Sequence, residues 1–270
     1  MKYDLHTHTI LSDGELTVEG NVNRAIELGL DGIAISDHDN IDSWEIIDNN
    51  KYPIPVIKAV ELSTYYKNEN IHILGYYINN NKPALKLAAF LKEMREKREK
   101  RVYKMIELLK KQGIEITYED IKKHADGAIG RPHVAKAIIE KYPEKNYTIQ
   151  DIFDIYIGDG KPSYVKTSNF QTTDAIKLLH DNNCLVVLAH PLLIKKVDYK
   201  EILDLNIDGV ECYYPYKNNE DYNEVIKEAK KRNLIITGGS DYHGPNVRNT
   251  MGEEYNKGED LKVFLDKIML

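Results

Sequence analysis

His6-Thr7-His8 places two imidazoles at positions i and i+2, directly after the run Lys2-Tyr3-Asp4-Leu5. In a strand those positions share one side, so both rings can reach a single ion at the strand's C-terminal end. Taken alone, such a pair fits a structural role equally well. Asp13 follows in a Ser12-Asp13-Gly14 turn that can swing its carboxylate back toward the same place. Asp37-His38-Asp39 comes directly after an apolar strand. Glu61 ends another, His72 lies in the next, and His190-Pro191 closes Leu185-Val186-Val187-Leu188-Ala189. Asp241 and His243 follow Ile235-Ile236-Thr237-Gly238-Gly239-Ser240. Six of the nine histidines belong to this recurrence, and His124, His133 and His180 lie elsewhere. Repetition at strand after strand is what a multinuclear metal site requires. Imidazole and carboxylate without thiolate suit Zn²⁺, Mn²⁺ or Fe²⁺, and leave the choice among them open. Ions about 3.5–4 Å apart could share a hydroxide as nucleophile and hold the oxygens of a phosphate ester, with no separate catalytic side chain.

The elements that must position these residues alternate. Strands are predicted at 2–5, 32–36, 55–60, 71–75, 185–189, 208–213 and 234–239. Helices are predicted at 17–28, 41–48, 172–182, 199–205, 219–232 and at the C-terminus. Strands alternating with helices imply a mainly parallel sheet. Seven strands without a glycine-rich nucleotide fingerprint favour a closed or nearly closed βα barrel over an open dinucleotide-binding sheet. Carboxylates and histidines at the C-terminal ends of barrel strands are where such folds keep their chemistry. Residues 81–165 show helical patterns and no clear strand. They are expected to form an inserted helical subdomain between the two parts of the barrel, 1–80 and 166–270.

Composition sets bounds. The 270 residues, 42% hydrophobic and 30% charged, suit one large α/β domain or a barrel with a modest insertion. The start lacks the apolar core of a signal peptide, and no apolar run approaches membrane-spanning length. Cys184 and Cys212 each sit in an apolar run and read as buried thiols. A cytoplasmic location is the default expectation. The net charge of −6 argues against binding long duplex nucleic acid, but it is unevenly spread. Lys82 to Lys145 carries 17 Lys+Arg against 10 Asp+Glu, which leaves about −13 for the remainder. An acidic metal-binding body with a basic segment suits an anionic substrate, although many of those lysines read as a solvated helical face.

Within the insertion, Leu87, Leu91, Met94, Met105 and Leu108 follow a 4-3 spacing over a helix at 84–111. The positions that continue the seam between Met94 and Met105 are Arg98 and Arg101. Two guanidiniums on an apolar seam either snorkel to solvent or turn inward onto an anion. Gly130-Arg131-Pro132-His133 opens another helix, with Pro132 at a plausible first helical position. A helix N-terminus flanked by Arg and His can bind phosphate; the plainer alternative is that His133 caps or packs.

Together, His6-Thr7-His8, Ser12-Asp13-Gly14, Asp37-His38-Asp39, Glu61, His72, His190-Pro191 and Gly239-Ser240-Asp241-Tyr242-His243 resemble the successive motifs of the PHP (polymerase and histidinol phosphatase) family. The resemblance spans the chain and loses no motif position. It implies a distorted seven-stranded TIM-like (β/α) barrel with two or three divalent metals at its C-terminal mouth. By the same resemblance His6, His8, Glu61 and Asp241 would hold one metal. Glu61, His72 and His190 would hold a second, with Glu61 bridging, and Asp13, His38 and His243 a third. The insertion resembles that of the branch containing nucleoside 3′,5′-bisphosphate phosphatases and 5′-3′ exoribonucleases acting on short RNA. This implies a nucleotide or oligonucleotide phosphate held by Arg98, Arg101, Arg131 and His133. A histidinol-phosphate phosphatase is the nearest alternative, but it does not account for the Arg-Pro-His segment. A non-catalytic, metal-stabilised interaction module is the alternative of another class. An amidohydrolase of related barrel type usually needs a carboxylated lysine where Glu61 already serves.

Overall fold

A computed structural model describes residues 1–78, 84–125, 129–166, 170–216, 222–247 and 249–268. Eight strands make one sheet. They are β1 (Lys2–Thr7), β2 (Gly32–Ile35), β3 (Val56–Tyr66), β4 (Glu69–Tyr77), β5 (Cys184–Leu188), β6 (Gly209–Tyr213), β7 (Ile235–Gly238) and β8 (Asn256–Lys257). Their order is β7-β6-β5-β4-β3-β2-β1-β8. The expected count of seven is therefore corrected to eight, because Asn256–Lys257 adds a two-residue strand antiparallel to β1. No hydrophobic pattern can announce a strand that short.

β2, β5 and β7 are buried at every position, as strands covered on both faces must be. β3 and β4 depart from the parallel expectation. They form a hairpin turned by Lys67 and Asn68, both with positive φ (44° and 65°), the combination that a tight two-residue turn demands. β4 consequently runs antiparallel to β3 and to β5. Its N-terminal half, which carries His72, thus reaches the same mouth as the C-terminal ends of the parallel strands.

The sheet closes at that mouth. Thr7 bridges to Tyr242 in parallel sense, and the His8 N–H donates to the Tyr242 carbonyl at 2.8 Å. Buried Asp4 ties β1 to the chain after β7, accepting from the Ser240 N–H (2.9 Å) and hydroxyl (2.6 Å). Gly239 permits the approach, since a Cβ there would stand 2.4 Å from the His6 nitrogen.

The helices are α1 (Val18–Glu27), α2 (Ser43–Ile46), α3 (Leu85–Lys111), α4 (Tyr118–Lys122), α5 (Arg131–Lys141), α6 (Ile149–Ile152), α7 (Thr172–Asp181), α8 (Tyr199–Leu203), α9 (Asn223–Lys231) and α10 (Gly258–Ile268). Thr17 caps α1 by accepting from the Gly20 N–H, and Val18, Val22 and Ala25 face inward. Residues 219–221 of the helix expected at 219–232 lie outside the described residues.

Between β4 and α7 the described residues are helical or irregular. They enclose an apolar cluster of their own that includes Val102, Met105, Leu109, Ile121, Val134 and Ile138. α3 belongs to both bodies. Leu87 and Leu91 pack into the barrel's core cluster with Ile176 and Leu179, whereas its C-terminal half packs into the second cluster. The barrel's apolar contacts thus continue into residues that the sequence assigns to the insertion, and the expected boundary at residues 80–81 lies outside the described residues. The buried line of α3 is Leu87, Leu91, Met94, Arg98, Val102, Met105 and Leu109. Leu109 replaces the expected Leu108, and Arg101 is displaced to the edge, because the stripe advances by four residues twice after Met94. Among the described residues no helix is long and apolar enough to cross a membrane.

Candidate metal centre

All nine predicted ligands come together at the mouth, from strand ends, from loops and from within β3 and β4, Glu61 lying inside its strand rather than ending it. Glu61, fully buried in the middle of β3, is at the centre. Its Oε2 lies 3.3 Å from His6 Nε2, 3.3 Å from His8 Nε2 and 3.1 Å from His38 Nδ1. Its Oε1 lies 2.9 Å from His72 Nδ1 and 3.0 Å from His190 Nε2. Asp241 Oδ1 stands 3.1 Å from His8 Nε2 and 3.4 Å from His6 Nε2. On the other flank, His243 Nε2 lies 3.3 Å from Asp13 Oδ1, and the His8 and His243 rings stack at 4.1 Å.

Local backbone makes this convergence possible. Asp13 reaches back because Gly14 packs on the His8 carbonyl, where a Cβ would stand only 2.5 Å from the oxygen. His190 and Asp241 adopt positive φ (29° and 53°) at the ends of β5 and β7. Such conformations cost non-glycine residues energy and persist only where the surroundings over-determine them. Asp37 does not enter the cluster. It accepts from the Thr9 N–H and the Ser12 hydroxyl, both at 2.7 Å, and so fixes the loop that carries Asp13.

The donor set fits cations. Three groups each keep their ligand atoms within 4.8 Å of one another: His8, Asp13, His38 and His243; His6, His8, Glu61 and Asp241; and His38, Glu61 and His72. The expected second set differs, since His38 takes the place of His190 there, while His190 stays within hydrogen-bonding distance of Glu61. His8 joins the third set. His6 Nε2, both His8 nitrogens, Asp13 Oδ1, His38 Nδ1 and Glu61 Oε2 are buried without a hydrogen-bond partner. Atoms about 2.0–2.2 Å from one tetrahedral ion are roughly 3.3–3.6 Å apart, close to the longer separations found here.

The same groups are strongly coupled electrostatically. Burial opposes charge on His6, yet Glu211, Glu61 and Asp241 outweigh it and hold its pKa well above the ordinary value. His8 is likewise raised to about 10 against its burial, by Asp241 and Glu61. Burial alone would raise Glu61, but His38, His72, His6 and His190 hold it well below the usual carboxylate range. Burial lowers His38 to about 3, against Glu61 and Asp13, with His8 and His72 adding to the fall.

Glu211 was not singled out in the sequence. Wholly buried in β6, it sets Oε1 3.0 Å from His6 Nδ1 and accepts from the His190 N–H at 2.9 Å through Oε2. A carboxylate inside the apolar strand Gly-Val-Glu-Cys-Tyr was the available signal. Tyr214 donates its hydroxyl to Asp241 Oδ2 at 3.0 Å.

Beside the cluster, Arg98, Arg101 and Arg131 line a cavity of about 190 Å³ that also touches Asp13, His38 and His72. Arg98 turns inward onto Asp39 and Ser63. Burial lowers Arg98 to about 10, with Asp13 opposing and Arg131 adding to the shift. Burial, then Arg98 and Arg131, bring Arg101 to about 9 against Tyr164 and Tyr65. Arg131 donates to Asp159 at 3.1 Å. His133 is placed differently. It is buried, its Nδ1 accepts from the Gly130 N–H at 2.9 Å, and it caps α5 behind the arginines.

A PHP domain model matches residues 4–262. A 5′-3′ exoribonuclease of Haemophilus influenzae is 33% identical over 253 residues, covering 90% of each chain. A 3′,5′-nucleoside bisphosphate phosphatase of Chromobacterium violaceum is 28% identical over 272 residues, covering 96% of this chain and 92% of that one. A crystal structure from Bifidobacterium adolescentis, ascribed to a metal-dependent phosphoesterase, has a TM-score of 0.85 at 26% identity. It covers 98% of this chain and 96% of that one.

Proposed function

The chain belongs to the PHP domain family, and from that premise we propose that it is a metal-dependent phosphoesterase that hydrolyses a phosphate ester of a nucleotide. The substrate class is a nucleoside 3′,5′-bisphosphate or the 5′ end of a short RNA. The observation that carries this reading is the contact between two unlike sites: a cluster of unpartnered imidazole and carboxylate atoms, and a cavity lined by three arginines.

His6, His8, Glu61 and Asp241 would hold one divalent ion; Asp13, His38 and His243, with His8 beside them, another; and Glu61, His72 and His190 a third, with His38 close by. Mn²⁺, Fe²⁺ and Zn²⁺ all suit these donors. When bound, such ions supply a hydrolytic nucleophile at neutral pH and positive charge against the reacting phosphate. The protein does the rest. Glu211 fixes the His6 ring so that Nε2 faces the cluster, and Tyr214 steadies Asp241. Arg98, Arg101 and Arg131 hold a second phosphate of the same substrate, whose negative charge offsets the repulsion among the three cations. His133 contributes from behind, by holding the Gly130-Arg131 turn in place.

The three arginines also favour a nucleotide over histidinol phosphate, which carries one phosphate and a cationic amine. The test is hydrolysis by Mn²⁺-reconstituted protein of nucleoside 3′,5′-bisphosphate, 5′-phosphorylated short RNA and histidinol phosphate. Release of phosphate or mononucleotide from the first two supports the proposal. A clear preference for histidinol phosphate, or no turnover of any, contradicts it.

A further inference from the structure

The space over the cluster has two lobes with unlike linings. The basic lobe is the one described above. The other, of about 330 Å³, shares Asp13, His38, His72, Pro132 and Phe153 with it. Its outer wall is apolar, built from Ile149 and Phe153 of the helical segment and Leu193 and Val247 of the barrel loops. Ile149 and Leu193 are each 37% exposed. Two large aliphatic side chains are thus left facing water at the rim of a cavity with a charged floor. Metal binding and phosphate binding leave this wall without a role.

Phe153 stands where the lobes meet. The Arg131 guanidinium lies 5.4 Å from its ring centroid, which sets the aromatic ring directly beside the phosphate-binding group. The backbone is irregular at this point, since Phe153–Ile157 forms a π-helical turn immediately after α6. Single π turns are frequent at functional sites.

We infer that Phe153, with Ile149 and Leu193 beside it, is the seat of the substrate's nucleobase. This rests on the reading of the basic lobe as a phosphate site. A nucleotide carries a flat, weakly hydrated ring one sugar away from its phosphate, and the structure offers an aromatic ring next to an arginine lobe. Stacking on an aromatic side chain tolerates any base, because every base has a π-face. Among the described residues, Lys136 and Gln150 are the hydrogen-bonding side chains on the helical wall of this lobe. Purines and pyrimidines should therefore both be accepted.

The test is binding of adenosine 5′-monophosphate, uridine 5′-monophosphate and ribose 5-phosphate to the metal-free full chain, measured by calorimetry. All three carry the phosphate, and only the nucleotides carry a base. The wild-type chain should bind both nucleotides about 5- to 150-fold more tightly than the sugar phosphate. Phe153→Ala should bring that ratio close to one, whatever it does to ribose 5-phosphate affinity through the neighbouring Arg131, and Phe153→Trp should preserve the ratio. Ile149→Ala alters a side chain at the exposed rim, so it tests the wall without endangering the fold, and it should lower the ratio in part. Equal wild-type affinity for nucleotide and sugar phosphate overturns the base seat, as does an unchanged ratio in both Phe153→Ala and Ile149→Ala. Failure of the basic lobe shows separately, as ribose 5-phosphate affinity that does not respond to Arg131→Ala. Absence of binding by all three ligands overturns both.

Discussion

Glu211 Oε1 lies 3.0 Å from His6 Nδ1, while the other nitrogen of the same ring faces Glu61 Oε2 at 3.3 Å. A carboxylate behind a ligating imidazole fixes its orientation and raises its basicity, and loss of such a partner costs about 10- to 100-fold in metal affinity. Glu211→Ala should therefore shift the metal titration of activity to higher concentration by that factor and recover much of its turnover at saturating Mn²⁺. An unmoved titration midpoint would show that Glu211 does not act through His6.

Glu61→Ala should be more severe and resist rescue. One carboxylate there faces five histidines, so its removal dismantles adjoining sites together. Both metal content and turnover should fall to background even in excess metal. Full metal content with near-normal kcat would remove Glu61 from its central place.

The arginines should separate from the ligands and from one another. Arg131→Ala and Arg101→Ala should leave metal content near wild type while kcat/KM on a nucleoside 3′,5′-bisphosphate falls roughly 10- to 150-fold, the loss of one charge-assisted contact. An aryl phosphate, with one phosphate and no second anion, should lose far less. Equal losses on both substrates would assign these side chains to structure. Arg98→Ala should in addition destabilise the fold, by up to about 3–5 kcal/mol, because it strands the buried carboxylate of Asp39. Thermal unfolding distinguishes that effect from the kinetic one.

The site was more legible in the sequence than the fold around it. Apart from Asp13, which sits in a turn, each predicted ligand follows or lies within a strand-like run, and a charged residue at the end of such a run has few structural uses, so His8, His38, His190 and Asp241 stand out. Glu211 did not, because one acidic residue in a short strand also fits an outward-facing position, and only the closed sheet shows that this one points inward. The β3–β4 hairpin was hidden because Lys67-Asn68 holds two positive φ angles without a glycine to signal them. Spacing alone makes Arg98 and Arg101 equivalent on the seam of α3. The structure separates them, since a helix turns 100° per residue and the buried stripe passes through Arg98 and Val102.

His133 offers a pH test. Burial keeps it neutral down to about pH 4, with Asp13 opposing and Lys136, His124 and Arg98 adding to the shift, whereas an unfolded histidine takes up its proton near pH 6.5. Between those values the unfolded chain binds more protons at this position, so its contribution to stability falls as pH falls from about 6.5 to about 4. His133→Asn retains a side-chain acceptor near the Gly130 N–H but does not titrate. It should flatten the acid limb of a stability-versus-pH curve measured by denaturant unfolding. An acid limb identical to wild type would show that His133 does not titrate differently in the two states.

Metal dependence, followed with composition, is the most direct measurement. The protein is stripped with chelator, verified by elemental analysis, and titrated with Mn²⁺ while hydrolysis of a nucleoside 3′,5′-bisphosphate and bound metal per chain are read together. Turnover should be absent in the stripped protein and should rise only as two or three ions bind per chain, because the nucleophile depends on them. Undiminished hydrolysis by protein shown to contain no metal would contradict the assignment of His6, His8, Asp13, His38, Glu61, His72, His190, Asp241 and His243 as the catalytic metal centre.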